Sequence, residues 1–249
     1  MQQSKVGVVV VPRYFDTTAV ELQDLSPGID VLHTQIRVAD DFGFTMDEII
    51  GTADEISDCA ASLAAAGAEV VLQLGTPFST AHGWRRGNEL QQRITDRIGV
   101  PFEMMGLSVP AGVLAMGARR VVLATTYYDA AWVERYTAYA TEAGLEVVGS
   151  QGYVAQGHYD SDEEAWEASF SGLDPEVSAA SIVEAGRTFP DVDAVLAPGM
   201  PGRVLEYVPA AEAELGVPIV SYFSIWYRCL EHLGRRTVRP AGRLLDSLA

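Results

Sequence analysis

The chain repeats itself, and the repeat limits the folds open to it. Val8-Val9-Val10-Val11-Pro12-Arg13-Tyr14-Phe15-Asp16 aligns without gaps on Val121-Val122-Leu123-Ala124-Thr125-Thr126-Tyr127-Tyr128-Asp129. Glu69-Val70-Val71-Leu72-Gln73-Leu74-Gly75-Thr76-Pro77 aligns on Asp193-Ala194-Val195-Leu196-Ala197-Pro198-Gly199-Met200-Pro201. Gly99-Val100-Pro101 matches Gly216-Val217-Pro218, and Gly117 and Gly234 follow at equal distances. One such match is ordinary strand–turn grammar. Three in the same order point to two related lobes, 1–118 and 119–234. Residues 235–249 are then a tail, expected to pack back on the first lobe.

The apolar runs Val6–Val11, Val70–Leu74, Val121–Ala124 and Ala194–Ala197 are short, continuous and rich in valine and leucine. Runs of this kind read as strands buried on both faces of a parallel sheet. Between them, Met46–Ala66 carries apolar residues at helical spacing. Thr45 with Glu48 forms a capping box and Gly67 ends the helix. Asp129 caps a second helix through Ala143, with Trp132, Val133, Tyr136 and Ala140 on its inner face. Strand–helix alternation predicts an α/β fold with two pseudo-twofold-related lobes and parallel sheets. Ligands in such sheets bind beyond the carboxyl ends of the strands, so the site is expected in a cleft between the lobes.

A formal charge of −17, from 34 acidic and 17 basic side chains, argues against nucleic acid and anionic membranes as partners. No apolar run reaches a membrane span, and the start lacks the features of a signal peptide. A cytoplasmic protein is therefore expected. Cys59 and Cys229 are too few for a disulfide framework and lack metal-ligand spacing, so no metal is expected.

The loops at Pro12–Thr18, Gly75–His82, Thr125–Asp129 and Pro198–Arg203 should converge on the cleft. Gly75 allows close backbone approach, and the Thr76 and Ser79 hydroxyls can hydrogen-bond a carboxylate. His82 and His158 can act as acid or base, or sit as surface histidines. Asp16 can be a base, or cap a turn through Thr17 and Thr18. Tyr14 and Tyr127 share a repeat position. Arg203 can clamp a second carboxylate, and Phe15, Phe78, Tyr128 and Met200 can form apolar walls. The stretch Asp160–Glu167 reads as a solvated acidic face.

Leu72-Gln73-Leu74-Gly75-Thr76-Pro77, Arg120–Tyr127, and Gly216–Ser221 with Trp226 and Leu233-Gly234 resemble arylmalonate decarboxylases and maleate cis–trans isomerases, of the aspartate/glutamate racemase superfamily. Pro12 followed by Asp16-Thr17-Thr18 is similar to that family's Pro…Asn-Thr-Thr loop. The resemblance implies two pseudosymmetric lobes, a site between them and no cofactor. It also implies that Thr76 and Tyr127 hydrogen-bond a substrate carboxylate. One cysteine position per lobe normally supplies the chemistry; here the first falls on Gly75 and the second on Gly199. Thiol-based racemisation or addition is then disfavoured. The expected function is a lyase or isomerase on a small carboxylate, nearest to malonate-type decarboxylation, with a homo-oligomer left open. The alternatives are a carboxylate-binding protein that has lost catalysis, and a lyase or hydratase using His or Asp.

Overall fold

The computed structural model describes residues 3–13, 19–199 and 203–248. The candidates Tyr14, Phe15, Asp16, Thr17 and Met200 lie outside the described residues. The first half holds β1 (Ser4–Val10), α1 (Ala19–Leu25), β2 (Ile29–Gln35), α2 (Met46–Gly51), α3 (Ala53–Ala65), β3 (Val70–Gln73), α4 (Pro77–Thr80), α5 (Trp84–Ile98), β4 (Phe102–Met104) and α6 (Met105–Ala115). The second holds β5 (Arg120–Thr126), α7 (Ala130–Glu142), β6 (Glu146–Gly152), α8 (Asp162–Ser171), α9 (Pro175–Thr188), β7 (Ala194–Leu196), α10 (Val208–Leu215), β8 (Ile219–Val220) and α11 (Ser224–His232). A last short helix, α12 (Arg243–Asp246), lies in the tail.

Each half builds one four-stranded parallel sheet. The strand orders are β2-β1-β3-β4 and β6-β5-β7-β8, the same permutation twice. The all-buried β3 and β7 follow from their apolar runs, because helices cover both faces of a parallel sheet. The Gly-Val-Pro echo also has a local cause. Gly99 and Gly216 end α5 and α10 in the left-handed region, at φ 73° and 76°, a conformation glycine adopts without a Cβ penalty.

The register corrects one detail of the repeat. Val6 pairs with Val70, and Val121 pairs with Ala194. The sheets therefore set Val6 where Val121 sits, whereas the sequence echo aligns Val8 with Val121. At the strand ends the echo holds, since Arg13 and Thr126 both have φ of 55°. Counted along the sheet, Tyr127 corresponds to Pro12; counted along the loop, it corresponds to Tyr14. The slip is two residues, so each side chain keeps its face of the sheet.

The capping box at Thr45 and Glu48 is present, and the Asp129 carboxylate accepts from the Trp132 amide. The single helix expected over Met46–Ala66 is interrupted at Thr52, whose hydroxyl donates to the Ile49 carbonyl at 2.7 Å.

The lobes interlock through α6 and α11. These helices pack on one another, α6 against β7 and β8 and α11 against β3 and β4. The tail then bridges the lobes. Val238 donates its amide to the Leu25 carbonyl of the first lobe, and α12 packs on α11 and β8 of the second. Among the described residues no helix is long and apolar enough to cross a membrane.

Candidate active site

The strand ends of both lobes meet in a buried hydroxyl cluster. Thr76 comes from the turn between β3 and α4. Its Oγ1 lies 2.6 Å from the Tyr136 hydroxyl and 3.4 Å from that of Tyr128. Tyr136, on α7, also donates to Tyr128 at 3.2 Å, and Tyr127 donates to Tyr128 at 3.4 Å. The sequence explains the convergence in part. Tyr127 and Tyr128 end the turn after β5, and Asp129 starts α7 directly, which places Tyr136 two turns along the helix. Burial pushes the Tyr128 and Tyr136 phenols above their ordinary range, so both stay protonated and able to donate. Beside the cluster, a cavity of about 10 Å³ lined by Thr76, Tyr136, Gly106 and Pro198 has room for about one water.

Gly75 and Gly199 both border this cluster, and a Cβ at either would press on a neighbouring side chain. Gly75 adopts φ 95°, where L side chains are strained, and a Cβ there would lie 2.5 Å from Val11 Cγ2. A Cβ on Gly199 would lie 2.5 Å from the Tyr128 hydroxyl. The Gly199 carbonyl accepts from Thr126 Oγ1 at 2.8 Å, which ties the β7 loop to the end of β5.

An aromatic wall rises beside the cluster. Tyr127 packs on Tyr128 and on Trp166, with ring centroids 4.6 and 5.7 Å apart. Trp166 and Phe170, on α8, meet Phe44 from the loop after β2, at 6.3 and 5.4 Å. The wall therefore has one side from each lobe. Asp160–Glu167 is not wholly a solvated face, because Trp166 within it turns inward. Phe78 does not face a cleft; it is buried under Gly75.

The remaining candidates are dispersed. His82 sits at the far end of α4, its Nε2 buried without a hydrogen-bond partner. Burial, and then the guanidiniums of Arg93, Arg135 and Arg86, push its pKa down. It shares no hydrogen bond with the hydroxyl cluster. His158 is exposed in the loop after β6, edge-on to Tyr153 at 5.8 Å. Arg203 is already engaged, 3.6 Å from Glu21 and 3.5 Å from Asp24 of α1. Ser79 accepts from the Tyr139 hydroxyl at 3.3 Å.

Glu21 escaped the sequence analysis. It is 3% exposed, and both carboxylate oxygens accept from the Tyr222 hydroxyl at 2.8 Å, across the lobe boundary. Burial raises its pKa from 4.5 to about 7, against the pull of Tyr222 and Arg203. No local signal marks it, because Glu21 and Tyr222 are brought together only by the fold. The thiols share no hydrogen bond with the hydroxyl cluster. Cys59 and Cys229 are buried in α3 and α11, and burial raises both pKa values, that of Cys229 to about 12.

This arrangement can be compared with known proteins. A family model described as arylmalonate decarboxylase matches residues 21–245. The chain belongs to the arylmalonate decarboxylase family. It is 30% identical over 196 residues to the arylmalonate decarboxylase of Bordetella bronchiseptica, which covers 78% of each sequence. A crystal structure of arylmalonate decarboxylase superposes with a TM-score of 0.77 at 25% identity, over 97% of this chain and 99% of that one. The maleate isomerase of Pseudomonas putida superposes with a TM-score of 0.77 over 100% of both chains; at 21% identity it shows the shared fold. The family match thus places the chain among enzymes related to arylmalonate decarboxylase.

Proposed function

We propose that the chain is a cofactor-independent lyase or isomerase on a small carboxylate or dicarboxylate, nearest to decarboxylation of a malonate-type acid. Names of relatives support the reaction class. The observation that carries the reading is the buried hydroxyl cluster joining Thr76 of one lobe to Tyr127, Tyr128 and Tyr136 of the other.

In this reaction the bond from the α-carbon to the departing carboxylate breaks. Carbon dioxide leaves, and the electron pair spreads onto the retained carboxylate as an enediolate. The hydroxyls of the cluster hydrogen-bond one another here; turned to that carboxylate on substrate binding, they would stabilise the enediolate more than the ground state, because its oxygens gain charge. The wall of Tyr127, Trp166, Phe44 and Phe170 gives an apolar face for an aryl or alkenyl substituent and disfavours a charged carboxylate pressed against it.

A proton then adds to the α-carbon. Glycine at positions 75 and 199, with both cysteines buried in helices, supports protonation without a thiol. Water, Asp16 or His158 is the proton source in this scheme. His82 is a weaker candidate acid, because its neighbouring guanidiniums disfavour the protonated ring. Gly75, Tyr14, Thr17, Gly199, Met200 and Arg203 complete the proposed binding loops.

The test is turnover of aryl- and alkenylmalonates in deuterium oxide. Carbon dioxide release with deuterium at the α-carbon is expected. Thr76→Val and Tyr127→Phe should each cost about 2–4 kcal/mol of transition-state stabilisation, the scale of one oxyanion donor. Carboxylate binding with no carbon dioxide from any malonate would favour the second reading, a binding protein without catalysis. Water addition to an unsaturated acid would instead identify a hydratase working through Asp or His.

A further inference from the structure

A polar concavity lies apart from the strand-end cluster, where the α4–α5 junction of one lobe meets α7 of the other. It is an open groove of about 550 Å³ lined by His82, Trp84, Arg85, Arg86, Arg135 and Glu142. Three guanidiniums therefore face one carboxylate, in a chain whose acids outnumber its bases two to one.

The partners of these groups leave positive charge uncompensated. Glu142 is occupied by the Trp84 amide, which donates to its Oε2 at 3.1 Å. Arg135 is held in place by the Thr80 and Ala81 carbonyls, at 2.9 and 2.6 Å, which are neutral acceptors. Arg85 has only an exposed contact to Glu89 at 3.8 Å, worth little in water. Arg86 and the neighbouring Arg93 have no ion pair among the described residues. The field is registered by His82, whose protonated form is disfavoured by burial and then by Arg93, Arg135 and Arg86. Helix stability does not account for the placement, because Arg85 and Arg86 lie in the first turn of α5, where the macrodipole disfavours cations.

We propose that this groove binds a small multivalent oxyanion, with Arg85 and Arg86 from one lobe and Arg135 from the other as its ligands. Planar guanidiniums suit phosphoryl and carboxylate oxygens alike, in paired hydrogen bonds. Bound there, the anion would offset the repulsion among the arginines and hold α5 to α7 across the lobe boundary.

The test is calorimetric titration of the full chain with inorganic pyrophosphate and, separately, with citrate, at fixed ionic strength. Saturable binding of either is expected. Pyrophosphate alone would identify a phosphoryl site, and citrate alone a polycarboxylate site. Arg85→Gln/Arg86→Gln should weaken binding at least about tenfold, the effect of losing roughly one charge-assisted contact, and leave thermal stability without ligand within a few degrees. The His82 ring, followed by NMR, should titrate at higher pH when the anion is bound. Binding should survive Thr76→Val, which separates this groove from the strand-end cluster. Heats no larger than a chloride control would overturn the proposal. So would binding that persists in the double variant, or a His82 titration that does not move.

Discussion

Glu21 should make the fold less stable as the pH rises through neutrality. Its carboxyl is 3% exposed, and burial raises its pKa from 4.5 to about 7. The groups facing it are the Tyr222 hydroxyl, the Trp226 indole and the Arg203 guanidinium, which also binds the Asp24 carboxylate. Tyr222 donates to either form, and Arg203 is 44% exposed and 3.6 Å away, so the cation is screened while the burial is not. The sign follows from proton binding. Between pH 4.5 and 7 the folded state holds a proton that the unfolded chain has released. The stability carried by that proton is fully present below pH 4.5 and is lost as the pH rises through 7. The gap from 4.5 to about 7, at 1.36 kcal/mol per pH unit, amounts to about 3 kcal/mol. Glu21→Gln keeps the shape and an acceptor for Tyr222 but does not titrate. Urea unfolding of both proteins from pH 4.5 to 8, followed by fluorescence and circular dichroism together, isolates this group from the others. The variant should gain about 3 kcal/mol on the parent across that range. A difference that is flat within about 1 kcal/mol, or that runs the other way, would show that Arg203 holds Glu21 ionised and that burial does not dominate.

Three further outcomes follow from the same contacts. Gly199→Cys should cost about 1–3 kcal/mol by urea unfolding, because the new Cβ meets Tyr128, and should cost less in a Tyr128→Ala background. Replacing Cys59 and Cys229 by alanine should leave turnover within a few-fold, and in the parent both thiols should resist disulfide-exchange reagents at pH 8 until the chain unfolds. Glu103 accepts from Arg228 at 2.9 Å and contacts His232 Nε2 at 2.7 Å, joining β4 to α11. Burial opposes its ionised form, but His232 and Arg228 more than offset this and hold its pKa below the usual value. Glu103→Gln should cost about 2–3 kcal/mol at pH 7 by thermal unfolding, less than a fully buried pair because both partners are partly exposed, and the cost should shrink as the pH falls below 4.5.

The local signals in the sequence determined the strands, the helix caps and the duplicated plan. Valine-rich runs demand cover on both faces, Thr45, Glu48 and Asp129 satisfy helix amides within a few residues, and Gly99 and Gly216 end their helices by conformation alone. Gly75, Thr76 and Tyr127 were legible for the same reason, since each sits next to a strand end. Tertiary structure decided what those residues meet. The slip of two residues between the first strands depends on hydrogen bonding to β3 and β7, which no local pattern encodes. Tyr136 reads as one more apolar face residue until α7 brings its hydroxyl to Thr76, sixty positions away. Trp166 is hidden in an acidic run until Tyr127 and Phe44 approach it. Glu21 looks like a surface acid until Tyr222, two hundred and one positions later, closes over it. A side chain's partners across the lobe boundary set its burial and its proton affinity, and those partners exist only once the chain has folded.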